Sequence, residues 1–308
     1  MTRIERLADD LYLIDAYMEG HPQRLACYLF DTPQRVLIEV GPSATLDHLV
    51  RSLNELGIDD LWAIVVTHVH LDHAGGVGHL AARFPDARIG VHSAGARHLV
   101  NPERLWNSAA RIYGDEELTA MWGTMEPISE ERLLVLEEGS RIPLGGGSRL
   151  DVLDTPGHAQ HQVALYEEGS GGLFVGDTVG VCYPHGHFVM PLSPPPDFDP
   201  EETTRQMRRM AELDPGFVGF AHFGPAYDAA QKLADAEDRM WDWVRTVKSF
   251  GNARLDDEEA AQRLRTWTLD DYQARGYSRE DIMRYDETVF WPMQITGIRR
   301  WLKQQTSQ

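Results

Sequence analysis

Cysteine is scarce in this chain: among 308 residues only Cys27 and Cys182 occur, too few for a disulfide framework. The pair fits a reducing compartment, with a single bridge left open. Long apolar runs are also missing, and no stretch approaches the length of a membrane span. The first ten residues, MTRIERLADD, carry charge but none of the apolar segment of a secretory leader. A cytoplasmic protein without a membrane partner is the expectation. Positive charge is short as well, with 29 basic against 48 acidic residues and a formal net charge of -19. No dense Lys/Arg run interrupts that field, which repels phosphate backbones, so no nucleic-acid partner is expected. Ordinary globular usage is present instead: 42% hydrophobic and 25% charged residues. The length gives room for one large domain, or one domain with a smaller appendage.

Short apolar runs open the chain at Leu11–Ile14, Ala26–Phe30 and Val36–Ile38, separated by turn residues. The period then changes: Leu46, Leu49, Val50, Leu53 and Leu56 fall at helical spacing, and Gly57 is a plausible stop. Trp62–Thr67 reads as a buried strand, Val77–Phe84 as a short helix closed by Pro85, and Arg88–His92 as another strand. Residues 95–126 read as helical and irregular. Strands resume at Leu133–Leu136, Leu150–Leu153, Val163–Tyr166 and Leu173–Val175, with turns at Gly145–Gly147 and Glu167–Gly172. Pro191–Pro200, with five prolines, is an extended loop before a helix over Glu201–Leu213 and a last strand, Phe217–Phe220. Beyond 226 only helical patterns remain: Leu233, Ala236, Met240, Trp243, Val244 and Val247 share a face, and Ile282–Trp301 is aromatic and helical. Two groups of strands and helices followed by a helical tail make an α+β or layered αββα pattern.

The chemistry concentrates in Thr67-His68-Val69-His70-Leu71-Asp72-His73-Ala74-Gly75-Gly76. Four potential metal ligands occupy six positions at the end of an apolar strand. Imidazole nitrogen suits zinc and related divalent ions, and a carboxylate adds hard oxygen and negative charge. His68 and His70 point the same way on extended backbone, while Asp72 and His73, on the turn, can face a second ion.

His-x-His-x-Asp-His followed by Gly-Gly resembles the metal signature of the metallo-β-lactamase superfamily. Thr155-Pro156-Gly157-His158, Gly176-Asp177-Thr178 and Ala221-His222-Phe223-Gly224-Pro225 resemble its later motifs in the same order. The resemblance spans about residues 8–225. It implies a four-layer αββα sandwich over residues 1–225, with residues 226–308 a helical extension packed on it. It further implies His68, His70 and His158 on one ion, Asp72, His73 and His222 on a second, and Asp177 between them. The cofactor expected is two divalent ions per chain, zinc first, with iron or manganese as alternatives. The activity implied is hydrolysis of an ester, lactone or thioester by a metal-bridging hydroxide, with Asp72 passing the water's proton.

Within that family, His70 stands where the oxygen-reducing di-iron flavoproteins carry an acid, and Asp177 where β-lactamases place cysteine or serine. The glyoxalase II and lactonase-like branch is therefore favoured. Against glyoxalase II itself stand the final motif and the lack of a clear basic cluster for a glutathione carboxylate. A mononuclear iron sulfur dioxygenase of the same fold and a phosphodiesterase-type hydrolase are the alternatives. Tyr183, His185 and His187 are candidate substrate contacts, Tyr183 as an oxyanion donor or an aromatic wall. His48, His79, His92 and His98 read as structural, and His161 as a ligand-orienting or surface residue. Residues 95–126, the Pro191–Pro200 loop and the tail are the expected pocket walls. The tail holds five of the eight tryptophans, and Trp241, Trp243, Trp291 and Trp301 pack it on the core or form a homodimer contact.

Overall fold

The structure, a computed structural model, describes residues 3–183, 188–251 and 255–306. Thirteen strands build two sheets among these residues. The first runs β1 (Ile4–Arg6), β2 (Leu11–Asp15), β3 (Ala26–Phe30), β4 (Val36–Ile38), β5 (Ala63–Val65), β6 (Arg88–His92) and β7 (Leu133–Leu136), in that spatial order. Its first four strands are antiparallel, and β4 through β7 are parallel. Parallel neighbours need crossovers. These are α1 (Leu46–Glu55), then α2 (Leu71–Ala74) with α3 (Val77–Arg83), then α4 (Ser93–Val100), α5 (Glu103–Tyr113) and α6 (Asp115–Trp122).

The second sheet holds β8 (Arg141–Gly145), β9 (Ser148–Asp154), β10 (Val163–Glu167), β11 (Gly172–Gly176), β12 (Phe217–Phe220) and β13 (Gly224–Ala226). Only β11 and β12 are parallel, and α7 (Pro200–Ala211) connects them. The expected turns at Gly145–Gly147 and Glu167–Gly172 close the β8–β9 and β10–β11 hairpins.

Strand alternation sorts the apolar side chains into layers. Val36, Ile38, Ala63 and Val65 face the second sheet and meet Ile142, Leu150, Val152, Leu165 and Phe174. Their neighbours Leu37 and Ile64 point the other way, onto Leu49 and Leu53 of α1 and Val77 and Leu80 of α3. On the far side, Leu173, Val175, Val218 and Phe220 pack against Met207 and Met210 of α7. The result is the expected αββα sandwich, α+β in class.

The tail is α8 (Ala229–Ser249), α9 (Asp257–Ala274), α10 (Arg279–Asp286) and α11 (Trp291–Gln305). All six residues of the expected α8 face are buried. The stretch Ile282–Trp301 is two helices rather than one, because Pro292 suits the first turn of a new helix and breaks an old one. Trp243, Trp291 and Trp301 are 2%, 7% and 7% exposed and join the inter-sheet core cluster. Packing within the chain therefore accounts for these three, and the partly buried Trp241 packs against the same cluster. Cys27 and Cys182 are both buried and free. No helix of the described residues is long and apolar enough to cross a membrane.

The tail also grips the proline loop. Ser193 N donates to Gln294 Oε1 at 2.5 Å, and Ser193 Oγ donates to Gln294 O at 3.2 Å. Tyr272 and Tyr285 hydroxyls donate to the carbonyls of Val189 and Phe188, each at 2.7 Å. Gly297 makes this approach feasible, since a Cβ there would sit 1.9 Å from the Ser193 carbonyl oxygen. Gly297→Ala is expected to destabilise the protein by about 3 kcal/mol through this overpacking. Thermal unfolding checks it; an unchanged midpoint would show that α11 and the loop do not touch so closely.

Candidate metal centre

The carboxyl ends of β4, β5, β9, β11 and β12 meet at one edge of the sandwich, where open sheets carry their ligand sites. Glu39 follows β4, the Thr67–His73 segment follows β5, His158 follows β9, Asp177 follows β11 and His222 follows β12. The sheets approach so closely there that Val163 N donates to the Thr67 carbonyl at 2.8 Å. Gly176, at φ +51°, lies where a Cβ would be 2.4 Å from Thr67 Oγ1. Only glycine lets the chain turn there and present Asp177 inward.

All seven residues named from the sequence motifs converge. His68, His70, His158 and Asp177 offer one set of donor atoms, and Asp72, His73, Asp177 and His222 a second. In the first, His68 Nε2 lies 2.9 Å from His70 Nδ1, His158 Nε2 lies 3.1 Å from the same nitrogen, and Asp177 Oδ2 is 3.5 Å from His158 Nε2. In the second, His73 Nε2 is 3.3 Å from Asp177 Oδ1 and 3.6 Å from Asp72 Oδ2. His222 Nε2 is 3.6 Å and 3.4 Å from those same oxygens. Asp177 thus turns one oxygen to each set. Beyond the short turn α2, which carries Asp72 and His73, the segment bends at Thr67 and His68. The extended strand expected through Thr67 ends at Val65, and the two histidines still converge.

These separations fit a divalent cation. Ligands about 2.1 Å from a tetrahedral ion stand about 3.4 Å from one another; the donors of each set here lie within 4.8 Å of one another, with close pairs at 2.9–3.9 Å. Three imidazole nitrogens meeting at one point cannot all be satisfied by hydrogen bonds among themselves. Asp177 Oδ1 is buried with no hydrogen-bond partner among the described residues, which a native interior rarely tolerates.

Charge divides between the two sets. Burial, reinforced by neighbouring histidines, pushes His68 well below the usual histidine range. Burial likewise brings His70 down to about 4 and His158 to about 3. Neutral imidazole is the ligating form, so this set is ready near neutral pH. Burial also opposes charge on His73, but Asp177, Glu39 and Asp72 outweigh it and hold its pKa well above normal. His222 follows the same pattern, raised by Asp177 and a hydrogen bond to Asp72 against the effect of burial. Asp72 itself is held down to about 2, because His73 and His222 overcome its burial. The second set is therefore a field that binds positive charge.

Residues outside the motifs orient the rings. Thr67 Oγ1 donates to Glu39 Oε1, which leaves Thr67 Oγ1 to accept from His68 Nδ1 at 3.0 Å. That places the His68 proton on Nδ1 and frees Nε2. His222 Nδ1 donates to the Arg24 carbonyl at 2.7 Å, with the same consequence. His73 Nδ1 lies 3.3 Å from Glu39 Oε1, off the line of a good hydrogen bond, so that contact is mainly electrostatic. Glu39 is 1% exposed and escapes a motif search, although an acid directly after Val36-Leu37-Ile38 is a visible anomaly. His161 is not a surface residue: its Nδ1 accepts from Val69 N at 3.3 Å and its ring stacks parallel to His68.

Above the donors opens a cavity of about 540 Å³. His70, Asp72, His158, Asp177 and His222 line its floor, and the walls come from the three expected regions. Leu105, Tyr113 and Trp122 represent the insert, Pro194–Pro196 the loop, and Phe290 and Met293 the tail. Tyr183 is in the wall, its ring against Tyr285 and its phenol pushed up to about 12 by burial. His98, expected to be structural, also lines the cavity. His92 caps α4 and His48 stacks on Tyr17, away from the donors. His185 and His187 lie outside the described residues.

Known proteins resemble this chain in sequence and in fold. Metallo-beta-lactamase fold-containing protein ST1585 of Sulfurisphaera tokodaii is 33% identical over 171 residues, 54% of this chain and 62% of that protein. A hydroxyacylglutathione hydrolase of Thermosynechococcus vestitus is 30% identical over 49% of this chain and 48% of its own length. The acyl-coenzyme A thioesterase MBLAC2 of Gallus gallus is 33% identical over 37% and 40%. The chain thus spans about half the length of the curated relatives it matches. Among solved structures, ST1585 superposes with a TM-score of 0.63 at 27% identity, covering 76% of this chain and 87% of that one. Metallo-beta-lactamase family protein TTHA1429 from Thermus thermophilus gives 0.71 at 22% identity, over 98% and 95%, so the helical tail belongs to a fold seen elsewhere. The profile described as the metallo-beta-lactamase superfamily matches residues 25–222, and the chain belongs to that superfamily.

Proposed function

We propose that the protein is a hydrolase of small-molecule esters, lactones or thioesters that works with two divalent ions, zinc first. The supporting observation is the shared carboxylate: Asp177 turns Oδ2 to a three-histidine set and Oδ1 to a set of two histidines and Asp72. His68, His70 and His158 would hold one ion, Asp72, His73 and His222 the other, with Asp177 common to both. When bound, such ions lower the pKa of water toward neutrality and polarise a carbonyl oxygen.

The chain's own groups do the rest. Asp72 is ionised, lines the cavity floor and lies 3.4 Å from His222 Nε2, so its free carboxylate oxygen can take the proton of an attacking water. Tyr183, a protonated phenol in the wall, can donate to charge developing on the carbonyl oxygen. The apolar walls exclude bulk water and bind the rest of the substrate. The names of relatives, a hydroxyacylglutathione hydrolase and an acyl-coenzyme A thioesterase, favour thioesters.

Metal analysis alongside an ester, lactone and thioester panel tests this reading. Two divalent ions per chain are expected, with activity lost on dialysis against a chelator and restored by zinc. One iron per chain with oxygen consumption would overturn it in favour of a dioxygenase.

A further inference from the structure

The cavity's acids are already engaged. Arg24 pairs with Glu19 and lies 3.8 Å from Glu287, and Asp197 accepts from Gln160 N at 3.2 Å. Two cations in the same wall are not. Arg97 on α4 and Arg104 on α5 line the cavity, and among the described residues no carboxylate lies within ion-pair distance of either. Arg97 Nε donates to His98 Nε2 at 3.3 Å. His98 lines the same cavity as Arg97 and Arg104, and its pKa is lowered first by burial and then by the charges of those two arginines. Beside them, Ile112 and Phe290 stay 51% and 43% exposed at the cavity. Apolar surface and unpaired cations therefore share one mouth, with the donor cluster beneath.

We propose that Arg97 and Arg104 form an anion subsite, and that the substrate carries a phosphate or carboxylate remote from its scissile carbonyl, next to an apolar portion. Guanidinium forks suit either anion and can grip it bidentately. The subsite belongs to the insert between β6 and β7 rather than to any metal motif, and it sets specificity without entering the bond-breaking step. This rests on the hydrolase reading for its catalytic consequence, but not for binding.

Binding is therefore measured apart from hydrolysis. Trp122 lines the cavity, so its fluorescence reports titration with coenzyme A, which brings phosphates, glutathione, which brings carboxylates, and neutral N-acetylcysteamine. At low salt, at least one anionic probe is expected to saturate, the neutral one not, and 0.5 M salt or the double variant Arg97→Ala/Arg104→Ala to abolish the signal. Whichever probe saturates names the anion. If neither does with the wild-type protein, or if the double variant binds as well, the subsite is refuted whatever the enzyme hydrolyses. The catalytic arm compares acetyl thioesters of the same three thiols. The ratio of kcat/KM between the anionic and the neutral thioester should fall about 10- to 100-fold in the double variant, carried by KM. Equal losses on both thioesters would mean that the arginines merely support the wall. Anion binding without turnover of any thioester would leave the subsite standing and remove the thioester reading instead.

Discussion

Asp177→Asn is expected to lower kcat/KM by on the order of a thousandfold or more, the loss of about 4 kcal/mol of transition-state stabilisation. The substitution keeps the size of the side chain and removes its charge. One oxygen becomes an amide NH2, which cannot ligate, so only one donor set keeps its fourth member. The three-histidine set is neutral on its own and retains a weaker ion. The second set loses more, because His73 and His222 depend on Asp177 for much of the negative charge around them. Metal content should drop from two ions per chain toward one, with circular dichroism unchanged. Retention of both ions and full activity would remove the shared carboxylate from the mechanism.

The donor set is legible in sequence because each motif lies just past the end of an apolar run. Val65 ends one strand before His68, and Gly176 ends another before Asp177, so a strand-end rule finds them without knowing the sheet order. Side-chain layering is legible for the same reason: Leu37 and Ile38 must face opposite sides of a strand. What stays hidden depends on contacts between distant segments. Pro292 marks the break within Ile282–Trp301, but nothing local shows that it lies beside Tyr113, whose ring is 5.7 Å from that of Phe290. His98 reads as structural in sequence and His161, beside the His158 motif, as ligand-orienting or surface, yet α4 and the segment after His158 bring both to the cavity. Tryptophans in an amphipathic tail signal burial but not against what. Here the answer is the chain's own core, with Trp243 against Trp291 at 5.3 Å and Trp241 against Trp301 at 5.9 Å.

Glu39 carries the other large expected effect. It sits 28 residues from Thr67 in sequence, and its Oε1 is the atom that both Thr67 and His73 face. Through Thr67 it sets the His68 tautomer, and through charge it raises His73. One carboxylate thereby supports a member of each donor set. Partners of this kind typically account for 10- to 100-fold in metal affinity or activity. Two substitutions separate the contributions. Glu39→Gln can keep an oxygen toward Thr67 and put its NH2 where Oε2, which has no hydrogen-bond partner, now lies. It therefore removes mainly charge, and about a tenfold loss is expected, concentrated in the second ion. Glu39→Ala also frees the Thr67 hydroxyl, allows the His68 ring to change tautomer, and should weaken both ions, about a hundredfold overall. Competition against a chromophoric chelator reads the two affinities directly. Equal, small effects of both variants would show that Glu39 acts on neither ring, and that the loops themselves hold the histidines in place.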